Sequence, residues 1–145
     1  MAETLGSLCD KLTIIKLKQW HSDDSKRLDS LAFQEKQIQI EINDFINSAI
    51  SGAIPSDRLT FSANKVYKTK GNVIGDIQGN IGGIFSQLAD VNCKLWHVQE
   101  NVYDFEKVPG NEKDKVVKQL ALLNLERNKC IDQIDLHFQK MLINE

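Results

Sequence analysis

The sequence predicts an all-α fold, an antiparallel four-helix bundle built from two related helical hairpins with a short loop or β-hairpin insertion between them. Apolar residues recur at steps of three and four over most of the chain, which is the period of an amphipathic helix. The first fifty residues contain one glycine, Gly6, and no proline. Residues 6–21 also match residues 82–97 in a repeat.

Capping and breaking residues define the first hairpin. Thr4 is the expected N-cap of the first helix, and the polar segment 22–25 ends that helix and caps the next. The second helix is expected from about residue 26 to residue 50. These two helices form the first predicted hairpin.

The second hairpin follows a linking segment over residues 53–75. β-forming residues surround a turn signal at 69–72, which predicts either a short β-hairpin or an irregular lid. A third helix is expected from roughly residue 79 to 105. A fourth follows the Pro-Gly-Asn sequence at 109–111 and continues to residue 141 or 142.

The internal repeat predicts how the hairpins are related. One domain, 1–145, would consist of repeat halves at about 1–52 and 76–145. Each hairpin alone would leave an apolar stripe in water, so pairing the two halves buries both stripes. The identical pairs are Gly6 with Gly82, Leu12 with Leu88, Lys18 with Lys94, Trp20 with Trp96, and His21 with His97.

Composition limits the classes of function. With 145 residues, 41% hydrophobic and 26% charged, the chain fits one globular domain rather than a two-domain enzyme. A net charge of −2 argues against a strongly basic nucleic-acid-binding surface. Residues 1–4 have neither the basic nor the apolar region expected of a signal peptide, and no run of eighteen apolar residues occurs. Three cysteines without CxxC spacing do not predict a disulfide framework. We therefore expect a cytoplasmic protein that does not contact a membrane.

Polar residues follow the inner edges of three predicted helices. Burying them without partners would cost about 1–3 kcal/mol each, so we expect them to be satisfied by one another, by water or by a ligand. The stripes contain Asp10, His21 and Asp24 on the first helix, Asp90, Cys93, His97 and Glu100 on the third, and Asn124, Arg127, Asn128 and Asp135 on the last.

Two histidine–acid pairs suggest a metal site as an alternative. His21 with Asp24 and His97 with Glu100 could hold a divalent metal between facing helices, which would activate water in a metal-dependent phosphohydrolase. Carboxylate-bridged sites in bundles usually have the order Glu-x-x-His, which is reversed here. The competing interpretation is that each histidine hydrogen-bonds within the bundle beside a tryptophan that anchors the core.

A basic, glycine-rich segment precedes the third helix. Lys65 and neighbouring lysines beside a helix start could bind a phosphate. Neither a P-loop nor a dinucleotide-binding motif occurs. The competing interpretation is that the glycines at 71, 75, 79, 82 and 83 allow close helix approach or form turns.

Two motifs carry a resemblance to a known family. Residues 95–100 read LWHVQE, and residues 123–128 read LNLERN, followed by Ile131, Ile134 and Asp135. They resemble the signature LWHxE and LNxxRNxxIxxID of the bacterial family called domain of unknown function 4254. Residues 8–12, LCDKL, with Trp20 and His21 are similar to its N-terminal half. The sequence departs from the family at Val98-Gln99, where the family prefers Leu-Glu, and at Cys9, where it prefers Ile.

The resemblance implies a small helical protein of bacterial or phage origin, since family members are helical and have no assigned activity. They are often encoded near genes for cell-surface polysaccharide synthesis. By motif position the resemblance implies a site containing Asp10, His21, His97, Glu100, Asn124, Arg127, Asn128 and Asp135.

The leading hypothesis is a binding module for a small anionic ligand, such as a nucleotide or sugar phosphate. We expect Arg127 and a loop lysine to face the anion, and His21 and His97 to face a common pocket with Arg127. The alternatives are the metal-dependent phosphohydrolase and a structural scaffold. A homodimer is expected because bundles often expose an apolar edge. The predicted ligand-binding residues are Asp10, His21, Lys65, His97, Asn124, Arg127, Asn128 and Asp135.

Overall fold

The computed structural model describes residues 2–62, 77 and 79–143. This part of the chain forms four long helices and no strand, which confirms the all-α prediction. Two short 3-10 helices lie at Ser56–Arg58 and Phe105–Lys107. The long helices are α1 (Leu5–Trp20), α2 (Ser25–Ile50), α3 (Ile81–Tyr103) and α4 (Lys113–Ile143).

The first two helices begin at the predicted capping residues. The Thr4 hydroxyl accepts a hydrogen bond from the Ser7 amide at 3.2 Å, and the Thr4 amide donates to the Ser7 hydroxyl at 2.8 Å. Asp24 caps α2 by accepting from the amides of Lys26 and Arg27 at 2.9 and 3.1 Å. These bonds satisfy amide donors that a helix start leaves unpaired.

The segment after α2 is fixed to the bundle at its start. Leu59 is 1% exposed and belongs to the core, and Gln139 of α4 donates to the Ser56 carbonyl at 2.7 Å. The expected hairpin or lid over 53–75 falls largely on residues 63–76, which lie outside the described residues.

The helices pack in two adjacent pairs that meet through α1. α1 packs on α2 and α3 packs on α4, while α1 also contacts both α3 and α4. One core cluster contains Leu5, Ala49, Leu59, Ile84, Leu88, Cys130, Ile134 and Phe138; a second contains Val91, Leu95, Val98 and Leu123. Burial of these side chains is the main favourable term in packing the helices together.

Gly6 permits a close approach between α1 and α4. A Cβ at this position would lie 2.5 Å from the Ile131 carbonyl oxygen and 2.8 Å from Oδ1 of Asp135. In contrast, a Cβ at Gly82 or Gly83 would meet no atom of the described residues within 4 Å, so these residues make no close helix approach at the two glycines. The close approach is at Gly6 instead, where the backbone of α1 lies against the Ile131 carbonyl of α4.

The three cysteines are free thiols. Burial raises the pKa of Cys9 to about 12 and that of Cys130 to about 11, with nearby carboxylates adding to the shift. A thiol is a nucleophile only when deprotonated, so both behave as small core residues. No helix in the described part of the chain is long and apolar enough to cross a bilayer.

Candidate functional site

A pocket of about 540 Å³ lies between the N-terminal half of α1 and the middle of α4. It brings together four of the residues predicted to bind a ligand: Asp10, Arg127, Asn128 and Asp135. Its other lining residues are Ala2, Glu3, Thr4, Ser7, Lys11, Phe61, Ile131 and Asp132. The pocket therefore combines charged, amide, hydroxyl and apolar groups from both ends of the sequence.

Helical spacing explains why these residues share one wall. Arg127, Ile131 and Asp135 recur every four residues on α4, and Ser7 and Lys11 do so on α1, so each set lies on one helix face. Since Gly6 brings the two faces into contact, the polar groups line a common hollow.

Asp135 forms the inner wall of the pocket. It is 4% exposed, and its Oδ1 accepts from the Gly6 amide at 2.7 Å. Burial raises the pKa of its carboxyl to about 6 and nearby Asp132 raises it further, while hydrogen bonds from the Gly6 amide and the Thr4 hydroxyl act in the opposite direction. Asp135 is therefore a largely ionised acceptor at neutral pH, held against the start of α1.

Asp10 is held by a buried amide from α3. Nδ2 of Asn92 donates to Oδ1 of Asp10 at 2.9 Å and to the Thr13 hydroxyl at 2.6 Å. Asn92 is only 1% exposed, and its Oδ1 has no hydrogen-bond partner in the described part of the chain. These bonds fix the Asp10 carboxylate at the pocket wall.

Asn92 was missed by the sequence analysis, although the sequence contained a signal for it. It follows Leu88 by one helical turn and lies next to Val91 in the apolar seam of α3. A buried amide at such a position needs a partner, and here Asp10 is that partner.

Arg127 is one of the lining residues of the pocket. Its Nε is buried and has no hydrogen-bond partner among the described residues. A guanidinium has five N–H donors in a fork that matches carboxylate and phosphate oxygens. Arg127 is therefore the group in this pocket best suited to bind an anion.

The rim of the pocket contains residues that sequence reasoning did not identify. Lys11 forms an ion pair with Glu3, and the Ser7 hydroxyl donates to the same carboxylate at 2.7 Å. Phe61 reaches this rim from the segment after α2. Their roles depend on tertiary contacts that no local motif encodes.

The two predicted histidines do not line this pocket, contrary to expectation. The imidazole of His21 stacks on the Trp96 ring, with centroids 4.7 Å apart and planes 12° apart. Both histidines are exposed. His21 follows Asp10 by eleven residues, about 16 Å along the helix axis, so a shared helix stripe does not place it at the same level.

The predicted metal ligands have other roles. Asp24 caps α2, and Glu100 accepts from Nε1 of Trp96 at 3.1 Å. In residues 2–62, 77 and 79–143, no group of three or more His, Cys, Asp and Glu side chains is arranged to hold a metal. The set of His21, Asp24, His97 and Glu100 is thus not assembled.

Two further predicted binding residues are not in this pocket. Asn124 donates from Nδ2 to the Leu120 carbonyl at 3.1 Å, a hydrogen bond within α4 itself. Lys65 lies outside the described residues.

A second cavity, of about 420 Å³, lies between α1 and α3 and is almost entirely apolar. Leu12, Leu17, Trp20, Ala89 and Cys93 line it together with Thr13 and Lys16. Small-ligand sites combine apolar walls with a few polar groups that fix orientation. The α1–α4 pocket meets that description better.

No family model matches the sequence, and neither the curated proteins nor the solved structures gave a match. The resemblance to the domain of unknown function 4254 family therefore stays a prediction. The assignment of a function depends on the pocket itself.

Proposed function

We propose that the protein is a binding module for a small ligand with an anionic group, such as a phosphate ester, which occupies the α1–α4 pocket. The observation that supports this most directly is that Arg127, which lines a 540 Å³ pocket, has a buried Nε with no partner in the described part of the chain. Unpartnered buried donors are uncommon in folded proteins, and a bound oxyanion would satisfy this one. Asn128 would orient the ligand, and Asp10 and Asp135 would accept from its donors.

The pocket is prepared for binding before a ligand arrives. Asp10 is fixed by Asn92 and Asp135 by the Gly6 amide, so neither carboxylate has to be ordered on binding. Binding to groups that are already in place costs less conformational entropy. This favours a recognition role for the pocket.

Thermal unfolding with ethyl phosphate tests the proposal, because this compound is a minimal phosphate monoester. At ten times its dissociation constant, a ligand stabilises the folded state by about 1.4 kcal/mol, which raises the Tm by a few degrees. We expect this increase in the wild type and in Arg58→Gln, a control at an exposed arginine, and its loss in Arg127→Gln. An equal increase in all three proteins would contradict the proposal.

We also propose that the four helices form two related antiparallel hairpins. Two cross-helix contacts support a parallel course for α1 and α3: Asp10 meets Asn92, and His21 farther along α1 meets Trp96 farther along α3. On α4 the order is reversed, since Gly6 meets Asp135 while Asp10 shares the pocket with Arg127. Such an arrangement is expected of a duplicated hairpin.

A further inference from the structure

We propose that the ligand of the α1–α4 pocket carries an aromatic ring beside its anionic group, and that this ring stacks on Phe61. The inference rests on the proposed function and names its ligand class. It follows from the apolar residues that share the pocket with Arg127 and from the position of Phe61 along α4.

Apolar residues contribute to the lining of the pocket. Ala2, Phe61 and Ile131 lie there together with the charged groups, and each comes from a different segment of the chain. A ligand that consists of an anionic group alone would leave these apolar surfaces in contact with water. A ligand that also covers them gains free energy, because apolar area is removed from water.

Phe61 is the largest of these apolar residues and retains accessible surface. It is 45% exposed at the rim of the pocket. An aromatic ring packs on another ring in offset or edge-to-face geometry, and this adds to the gain from burying its area. Proteins that bind single-stranded nucleic acids hold bases on aromatic side chains in this way. Phe61 therefore favours a ligand with an aromatic ring over one with an alkyl group.

The segment that carries Phe61 is attached to the bundle before a ligand binds. Leu59, two residues earlier, is buried in the core. The Ser56 carbonyl accepts a hydrogen bond from Gln139 of α4 at 2.7 Å. Because the segment is anchored at these two points, covering the ring with a ligand costs less conformational entropy.

The course of α4 sets the separation between the two ends of the ligand. Arg127 precedes Ile131 by four residues, about 6 Å along the helix axis. Phe61 also lines a neighbouring hollow together with Gln133 and Leu136. It thus lies beside the part of α4 that follows Ile131. A ligand that contacts both Arg127 and Phe61 therefore needs a linker between its anion and its ring.

Three matched compounds test the inference: ethyl phosphate, 2-cyclohexylethyl phosphate and 2-phenylethyl phosphate. The first is the anion and linker of the other two, which differ from each other in having a saturated or an aromatic ring. The chain has three arginines, Arg27, Arg58 and Arg127, so its Nε–H NMR signals are few, and the signal lost in Arg127→Lys identifies the pocket.

We expect 2-phenylethyl phosphate to shift the Arg127 signal with the lowest Kd of the three compounds. This Kd should be about tenfold lower than that of ethyl phosphate, because the ring is buried on binding. It should be about threefold lower than that of 2-cyclohexylethyl phosphate, because the saturated ring cannot stack.

The variant Phe61→Leu should remove the preference for the aromatic over the saturated ring, because leucine keeps an apolar side chain but has no ring. Its Kd for ethyl phosphate should stay near the wild-type value, since that compound does not extend to residue 61. The matched control Phe33→Leu, at a phenylalanine of α2 that is 76% exposed, should keep the wild-type preference.

The outcomes separate this inference from the proposed function. Equal affinity for all three compounds at the Arg127 signal would overturn the aromatic ligand and leave the anion-binding pocket standing. Equal affinity for the two ring compounds would also overturn it, because the pocket would then recognise apolar bulk and not a ring. A preference that survives in Phe61→Leu would overturn the stack on Phe61. No shift of the Arg127 signal with any compound would overturn both the inference and the proposed function.

Discussion

Gly6 is the residue on which the geometry of the pocket depends. Its missing side chain lets α1 lie against the Ile131 carbonyl, and its amide holds Asp135. We predict that Gly6→Ala lowers the free energy of unfolding by about 2–4 kcal/mol, because a methyl group would collide with backbone and break this hydrogen bond.

The matched control for Gly6 is Gly83→Ala in α3, where the new methyl group would meet none of the described residues within 4 Å. Here we expect an increase of up to about 1 kcal/mol, because alanine is the better helix former. Urea denaturation of both variants measures the difference. Equal effects would contradict the close contact assigned to Gly6.

Asp135 makes the stability of the protein depend on pH. Its pKa is about 6 in the folded protein against an ordinary value of 3.8, so the folded state binds the proton more tightly. Its contribution to stability is complete below the ordinary value and is lost as the pH rises through the folded value. The free energy of unfolding of the wild type, relative to Asp135→Asn, should fall by about 3 kcal/mol between about pH 4 and pH 7.

Denaturation of the wild type and Asp135→Asn across this pH range measures the effect. The asparagine keeps an oxygen for the Gly6 amide but does not ionise. A difference that stays constant across this pH range would show that burial does not raise the pKa of Asp135.

At the scale of the helices, the repeat predicts equivalent surroundings for Trp20 and Trp96, but the two side chains lie in different surroundings in the structure. Trp20 is 86% exposed, whereas Trp96 stacks on His21 and donates to Glu100. We predict that Trp96→Leu costs about 1–3 kcal/mol of stability and Trp20→Leu less than about 0.5 kcal/mol. Chemical denaturation measures both, and equal losses would contradict the stack.

Helix starts and lengths could be predicted because they depend on neighbouring residues. Thr4 and Asp24 form their capping bonds within three residues, and the predicted bounds of α2 differ from the observed ones by a single residue. The relation between helices could be predicted only in part. Periodicity gives the face on which Asp10 and His21 lie, but not which neighbour meets that face or at what level.

At the scale of the whole molecule, the candidate site could likewise be predicted only in part. Asp10, Arg127, Asn128 and Asp135 were predicted to bind a ligand, and they line one pocket. The histidines were assigned to it wrongly, because the axial level of each helix is set by packing around Gly6 and the core. Lys11 could not be predicted because it joins the site through tertiary contacts, whereas Asn92 had a signal in the sequence, an amide within an apolar seam.

The proposed function requires that the anionic ligand binds in the α1–α4 pocket at Arg127. Titration of the wild type with ethyl phosphate, followed by the three arginine Nε–H signals, tests this most directly. We predict a saturable shift of the Arg127 signal, with the signals of Arg27 and Arg58 nearly unchanged. Shifts confined to Arg27 and Arg58, or no saturable shift at all, would contradict it.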